Sequence, residues 1–201
     1  MSTREKIIQE AERLLRQEGL AGLSLRKVAK AAGIQAPSIY EHFDSKEAVL
    51  DQVRQRVMVQ VLERFQEARG MADSPLEQLV EAGAAYVRFA REEQAVFQLF
   101  FSVFRSQRTE LDQPEPGQSP YTVLRRLVVA YATPHIGNQF PQTFDEIAYG
   151  YWSLIHGAAL LQSTFLAGFQ ADFDAADRNN FRRYLMGSIA GLGTSTTREG
   201  G

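Results

Sequence analysis

Cysteine is absent from all 201 residues, which removes disulfides, thiolate metal sites, iron–sulfur clusters and cysteine nucleophiles. That absence suits a reducing compartment. Long apolar runs are missing too: the stretch from Val96 to Phe104 is interrupted by Gln98 and Ser102 and falls short of the roughly 18 residues that suggest a membrane span. The N-terminus, MSTREKIIQE, is charged and has none of the apolar centre of a secretory signal. A soluble, cytoplasmic protein with no membrane partner is expected. His42, His135 and His156 form no local metal-ligand spacing, and no glycine loop is shaped to cradle phosphate. Ser24 and Lys27 match the Ser-x-x-Lys pattern of acyl-serine enzymes, but the Ser-Asp-Asn and Lys-Thr-Gly elements that accompany it are lacking. Neither a catalytic constellation, a metal site nor a cofactor is therefore expected, and the protein reads as no enzyme.

No stretch alternates apolar and polar residues as a half-buried strand does; apolar residues recur at helical spacing almost everywhere. The chain is expected to be all-α, with about nine helices. The first runs from about Thr3 to Glu18, with Ile7, Ala11, Leu14 and Leu15 on one face and Gly19 placed to end it. The second runs from an N-cap at Ser24 to about Ala32, with Gly33 after it. The third carries Pro37 near its start and ends about Phe43. The fourth starts after Asp44 or Ser45 and continues to about Arg69. Beyond Gly70, helices are expected over Pro75 to Glu92, Gln94 to Phe104, Pro120 to Ala132, Thr143 to Leu166 and Asp174 to Leu192. Residues 105–119 carry two prolines and a glycine and read as a loop; the small, polar residues 193–201 read as a disordered tail.

A net charge of -2 looks poor for a nucleic-acid partner, which usually brings an excess of Lys and Arg. The average hides two unlike parts. Residues 1–56 hold 10 Lys or Arg against 8 Asp or Glu and all four lysines, Lys6, Lys27, Lys30 and Lys46. Residues 57–201 are acidic by 16 to 12 and hold 19 of the 21 aromatic residues. A head over 1–56 and a body over 57–192 are expected to do different work.

The segment Ser24 to Phe43, SLRKVAKAAGIQAPSIYEHF, carries the head's chemistry. Two short helices joined by a tight turn need a small residue at their contact, a residue tolerant of positive φ in the turn, and a branched apolar residue facing back. Ala29, Gly33 and Ile39 supply these, with Val28 and Ile34 completing a small core. This is the spacing of a DNA-binding helix-turn-helix. With the leading helix and the continuation Tyr40, His42, Phe43, Ser45, Lys46, Glu47 and Leu50, residues 3 to about 50 resemble the DNA-binding domain of the TetR family of transcriptional regulators. The resemblance implies that Ser24, Arg26 and Lys27 meet phosphates, with Arg26 a candidate for a guanine. It places Gln35, Ala36, Pro37 and Ser38 in the turn that enters the major groove, and Tyr40, His42 and Lys46 at phosphate-contacting positions. Gln35 stands where a Ser cap is frequent, and Glu41 where aromatic or basic residues are usual.

A head this small pairs with a second one against half-sites about 34 Å apart, or a multiple of that, so a homodimer on a palindromic operator is expected. The segment Tyr149 to Leu161, YGYWSLIHGAALL, resembles a Trp followed by His-Gly seen in many family members, in a helix that packs in the dimer. Gly157 and Ala158 would let a partner helix approach, and Leu160, Leu161, Phe181, Leu185 and Ile189 would fill the seam. The family's usual effector site is an apolar pocket; the candidate walls are Tyr86, Phe89, Phe97, Phe100, Phe101, Phe104, Leu124, Tyr131, Trp152, Ile155, His156 and Phe165. His156 reads either as a core imidazole or as a polar handle for a ligand. The function implied is a DNA-binding regulator, a repressor released by a small, largely apolar effector. Two alternatives stay open: a helical small-molecule-binding or enzymatic protein whose head no longer binds DNA, and a ligand-independent activator.

Overall fold

The computed structural model describes residues 1–102, 119–137 and 141–193. The expected loop at 105–119, all but Ser119, and the expected tail, all but Gly193, lie outside them. Among the described residues there are eight α-helices and one 3-10 helix, and no strand: α1 Thr3–Gly22, α2 Leu25–Ala32, the 3-10 helix Ala36–Glu41, α3 Lys46–Gly70, α4 Pro75–Glu92, α5 Gln94–Ser102, α6 Pro120–Ile136, α7 Pro141–Ser163 and α8 Phe173–Gly193. None of them is long and apolar enough to cross a membrane. They fall into two compact units, residues 1–60 with 92–102, and residues 61–91 with 119–137 and 141–193.

The first unit is built on α1. Ser2 and Glu5 close a capping box at its start, Ser2 Oγ accepting from Glu5 N at 3.2 Å and a Glu5 carboxylate oxygen accepting from Ser2 N at 2.7 Å. The expected apolar face is the buried one: Ile7, Ala11 and Leu15 are fully enclosed and Leu14 nearly so. At Gly19, φ +69 breaks the helix, and one further turn carries it to Gly22, past the expected end at Glu18. α2 and α5 both pack on α1. The position of α5 was not legible in its sequence, which is apolar on most sides and reads equally as body.

In the second unit, α4 carries Leu79, Val80, Ala82 and Phe89 into a core shared with Leu124 and Val128 of α6, Tyr151 and Ile155 of α7, and Phe181 and Leu185 of α8. Gly83 allows a close approach of α4 to α7 and α8. A Cβ there would lie 2.4 Å from the Tyr151 hydroxyl, 3.0 Å from Ile155 and 3.1 Å from Phe181. The Tyr151 hydroxyl is itself fixed, donating to the Leu79 carbonyl at 2.8 Å. On the outside, α4 and α8 are laced by ion pairs in antiparallel register: Arg182 forks onto Glu77 at 2.8 and 2.7 Å, Arg178 onto Glu81 at 2.7 and 3.0 Å, and Arg91 meets Asp174 at 2.8 Å. Each is partly exposed and is worth about 0.2–1 kcal/mol. The Arg182 bond holds the Glu77 carboxyl below its ordinary value, so this pair stabilises at neutral pH and its contribution is lost as pH falls through that lowered value.

Candidate nucleic-acid interface

The surface of the head follows from its core. Ser24 caps α2, its hydroxyl accepting from Lys27 N at 3.3 Å. Gly33 ends the helix at φ +71, where its own N–H and that of Ile34 reach back to Lys30 and Ala29 carbonyls at 3.2 and 3.0 Å. Val28, Ala29 and Ile39 are fully buried, while Ile34 is only half-buried. The next element is a 3-10 helix of six residues, tighter than the α-helix expected there. Gln35 provides no side-chain cap and Pro37 sits in the first turn without an N–H, so the short segment closes on i to i+3 bonds, Ser38 N to Gln35 O and His42 N to Ile39 O, both at 3.0 Å. Phe43 is buried and anchors its end, under the Arg4 guanidinium at 4.8 Å.

With Ile39 and Phe43 pointing in, the residues between and before them must point out. Tyr40 is 61% exposed, and Arg26, Lys27, Lys30, Gln35, Pro37, Glu41 and His42 are all exposed, with Ala36 and Ser38 half-buried beside them. Arg26, Tyr40 and His42 make no side-chain hydrogen bond or ion pair among the described residues. Lys46 opens α3 beside the Ser45 cap, whose hydroxyl accepts from Ala48 N at 3.1 Å, and its ammonium reaches the Leu20 carbonyl at 3.4 Å. Lys27 is engaged differently: it pairs with Glu18 of α1 and donates to the Gly22 carbonyl at 3.0 Å. The role of Glu18 had no local signal, because nine residues and a helix break separate it from Lys27.

In the second unit, Tyr86, Trp152 and His156 come together. The Tyr86 hydroxyl and His156 Nδ1 are 2.9 Å apart, the Trp152 ring lies 5.1 Å from Tyr86 and stacks on His156 at 5.7 Å, and Tyr121 meets Trp152 edge-on at 6.0 Å. Burial pushes the Tyr86 phenol above its ordinary value and the His156 imidazole below its own, so both groups are neutral at pH 7. Phe89, Leu124, Tyr131 and Ile155 are buried in the same unit. Two expected walls do not fit this grouping. Phe165 is 85% exposed in the turns after α7, and Phe97 is buried within the first unit. The side chains of Phe100 and Phe101, and Phe104 as a whole, lie outside the described residues.

The seam residues divide as well. Leu160 and Leu161 are 43% and 51% exposed, Gly157, Ala158 and Ile189 are half-buried, and a Cβ at Gly157 would touch nothing. Phe181 and Leu185, however, face inward and are fully buried in the single chain, with Phe181 edge-on to Tyr151 at 5.8 Å. They cannot fill a seam with another chain. The outward face of α8 is offset by one residue, onto Met186, Gly187 and Ala190. Arg91 and Arg125 are paired with Asp174 and Asp145.

The family profile described as "Bacterial regulatory proteins, tetR family" matches residues 7–53, and that described as "Tetracyclin repressor-like, C-terminal domain" matches residues 79–184. The chain belongs to the TetR family. Over 78 residues it is 35% identical to the HTH-type transcriptional repressor KstR2 of Mycolicibacterium smegmatis, a match spanning 39% of this chain and 38% of that repressor. It is 29% identical to an uncharacterized HTH-type transcriptional regulator of Mycobacterium tuberculosis over 98% of this chain and 85% of the other. A solved structure of a protein of unknown function from Rhodococcus sp. RHA1 shares the fold, with a TM-score of 0.77 at 24% identity over 93% of this chain and 95% of that one. The TetR-family chain is thus a non-enzymatic, DNA-binding transcriptional regulator. In its TetR-type head, the first profile covers the helix-turn-helix whose exposed face is described above.

Proposed function

We propose that this chain acts as a homodimeric repressor on a palindromic operator and is released when a small, largely apolar effector binds its body. The observation that carries the reading is the outward row Arg26, Pro37, Ser38, Tyr40 and His42 over a closed core, with Arg26, Tyr40 and His42 uncommitted to any partner among the described residues. Arg26 has the planar fork that reads guanine N7 and O6; Ser24, Lys27, Tyr40, His42 and Lys46 face phosphates, and Gln35, Ala36, Pro37 and Ser38 enter the groove. Gly157, Ala158, Leu160, Leu161 and Ile189, joined by Met186, form the pairing face. Tyr86, Trp152 and His156 meet the effector, and the neutral hydroxyl–imidazole pair favours a ligand with one uncharged hydrogen-bonding group on an apolar frame. Release works by population shift, bounded by the effector's differential affinity for the two states. The test is the stoichiometry on a duplex selected by the protein from random sequence, read by analytical ultracentrifugation: two chains per two-fold-symmetric site support the reading, and one chain per site rejects it.

Glu18 gives a separate prediction. By holding Lys27, it withholds a cation from the backbone of DNA. Glu18→Gln is expected to tighten duplex binding about two- to thirtyfold, the equivalent of one exposed ion pair on each of two heads, and to steepen the dependence of log K on log salt by about two units. Fluorescence anisotropy across a salt series checks both; unchanged affinity and slope would show that Lys27 does not reach a phosphate.

A further inference from the structure

Within the described residues the chain passes from one compact unit to the other at two places, between Gln60 and Val61 along α3, and between Arg91 and Glu92 at the end of α4. A single side chain of α1 holds the first unit's side of both. Arg16 donates from Nη2 to Gln60 at 3.1 Å and from Nη1 to Glu93. The same Nη2 bonds Glu12 at 2.8 Å. Glu12 is only 7% exposed although it is charged, and it is satisfied by two more donors, Arg56 Nε at 2.9 Å and Gln60 Nε2 at 3.1 Å. A carboxylate so enclosed is tolerated because three side chains, Arg16, Arg56 and Gln60, donate to it.

We propose that Arg16 and Glu12 are positioning residues for operator binding: they tie α1, and with it the helix-turn-helix, to both segments that lead into the second unit, and so set the separation at which two heads meet DNA. The inference rests on the homodimeric reading above. The argument is geometric. A cluster that served only to attach α1 to α3 would need Glu12, Arg56 and Gln60; the bond from Arg16 to Glu93 adds nothing to that pair and engages the segment that returns from α4. Arginine suits the task because its planar fork serves several acceptors at once, whereas a lysine ammonium is a point charge on a flexible stem. Loosening the node frees the head to adopt other angles without touching any residue that faces DNA.

The test uses the full chain and a duplex selected by the wild-type protein from random sequence, together with the same duplex lengthened by two base pairs at its centre. Wild-type protein is expected to bind the lengthened duplex at least about tenfold more weakly, because the half-sites move apart and rotate about the helix axis. Arg16→Lys and Arg16→Gln are expected to bind the original duplex within about threefold of wild type and to lose less than about threefold on the lengthened one. Glu12→Gln, which keeps the shape of the side chain, should give the same loss of discrimination. If these variants keep the wild-type penalty for lengthening, or lose affinity for both duplexes by one factor, the node does not position the heads and the inference is overturned. If the wild-type protein selects no two-fold-symmetric duplex, or binds both lengths equally, the homodimeric reading itself falls and takes the inference with it.

Discussion

Replacing Gly83 by alanine is expected to lower the stability of the second unit by about 2–4 kcal/mol, in spite of a helix-propensity gain of about 1 kcal/mol for the same exchange. The added methyl meets the Tyr151 hydroxyl at 2.4 Å. Tyr151 cannot yield cheaply: its ring is fully buried, and its hydroxyl is the donor to the Leu79 carbonyl. Moving it breaks that bond and crowds Ile155 and Phe181, which stand 3.0 and 3.1 Å from the same methyl. For a chain of this size the loss corresponds to a melting temperature lower by about 5–15 °C, measurable by circular dichroism or calorimetry. The double variant Gly83→Ala, Tyr151→Phe removes the clashing oxygen, and its stability should exceed that expected from adding the two single effects. Alanine at Gly70, where a methyl meets nothing within 4 Å, should leave the melting temperature at or above that of wild type. Equal stability of the Gly83 variant and the wild type would contradict the packing described for α4, α7 and α8.

The contrast between the units explains what was legible in the sequence. The head could be read almost residue by residue because its determinants are local: Ser24 caps the helix it precedes, Gly33 turns the chain where it stands, and Ala29 meets Ile39 across only a few residues. The Gln35 position was informative for the same reason, since the absent cap goes with the tightened 3-10 geometry. Most helix spans in the body followed from proline and glycine punctuation. What the sequence did not show was which apolar residue faces which way. Phe181 and Leu185 were expected to face a partner, yet α8 is apolar on more than one side, and only its packing on Tyr151 decides that these two turn inward and Met186 outward. Phe165 was expected to line a pocket because aromatics are scarce outside cores, but it lies beyond the end of α7 at Ser163, where no helix directs it inward. The contacts of Arg16 with Gln60 and Glu93, and of Glu18 with Lys27, gave no signal, because each crosses from one element to another.

The second large effect concerns DNA. Arg26→Ala combined with Tyr40→Ala is expected to weaken operator binding by about 2–4 kcal/mol, roughly 30- to 1,000-fold. Arg26 alone accounts for the larger part and should relax sequence preference at one position; Tyr40, read as a backbone contact, should weaken all duplexes alike. The melting temperature should stay within the range of ordinary surface substitutions, because neither side chain bonds another among the described residues. The Gly83 and Arg26/Tyr40 variants therefore separate cleanly: one loses stability through a residue far along the chain from the helix-turn-helix, the other loses DNA with its fold intact. A double variant that binds duplex DNA as the wild type does would remove Arg26 and Tyr40 from the interface.

Salt dependence is the most direct measurement of the central claim, that the face bearing Arg26, Lys27, Tyr40, His42 and Lys46 docks on duplex DNA. Each phosphate neutralised releases condensed counterion and contributes about -0.9 to the slope of log K against log salt, so Arg26 and Lys46 on each of two heads, with Lys27 held by Glu18, predict a slope of about -4. Anisotropy titrations of the intact protein against its selected duplex, repeated across a salt series, give that slope. The account predicts a steep linear fall that becomes shallower by about two units for each variant that removes one cation from both heads. A flat response to salt, or a steep one that Arg26→Ala and Lys46→Ala leave unchanged, would contradict it.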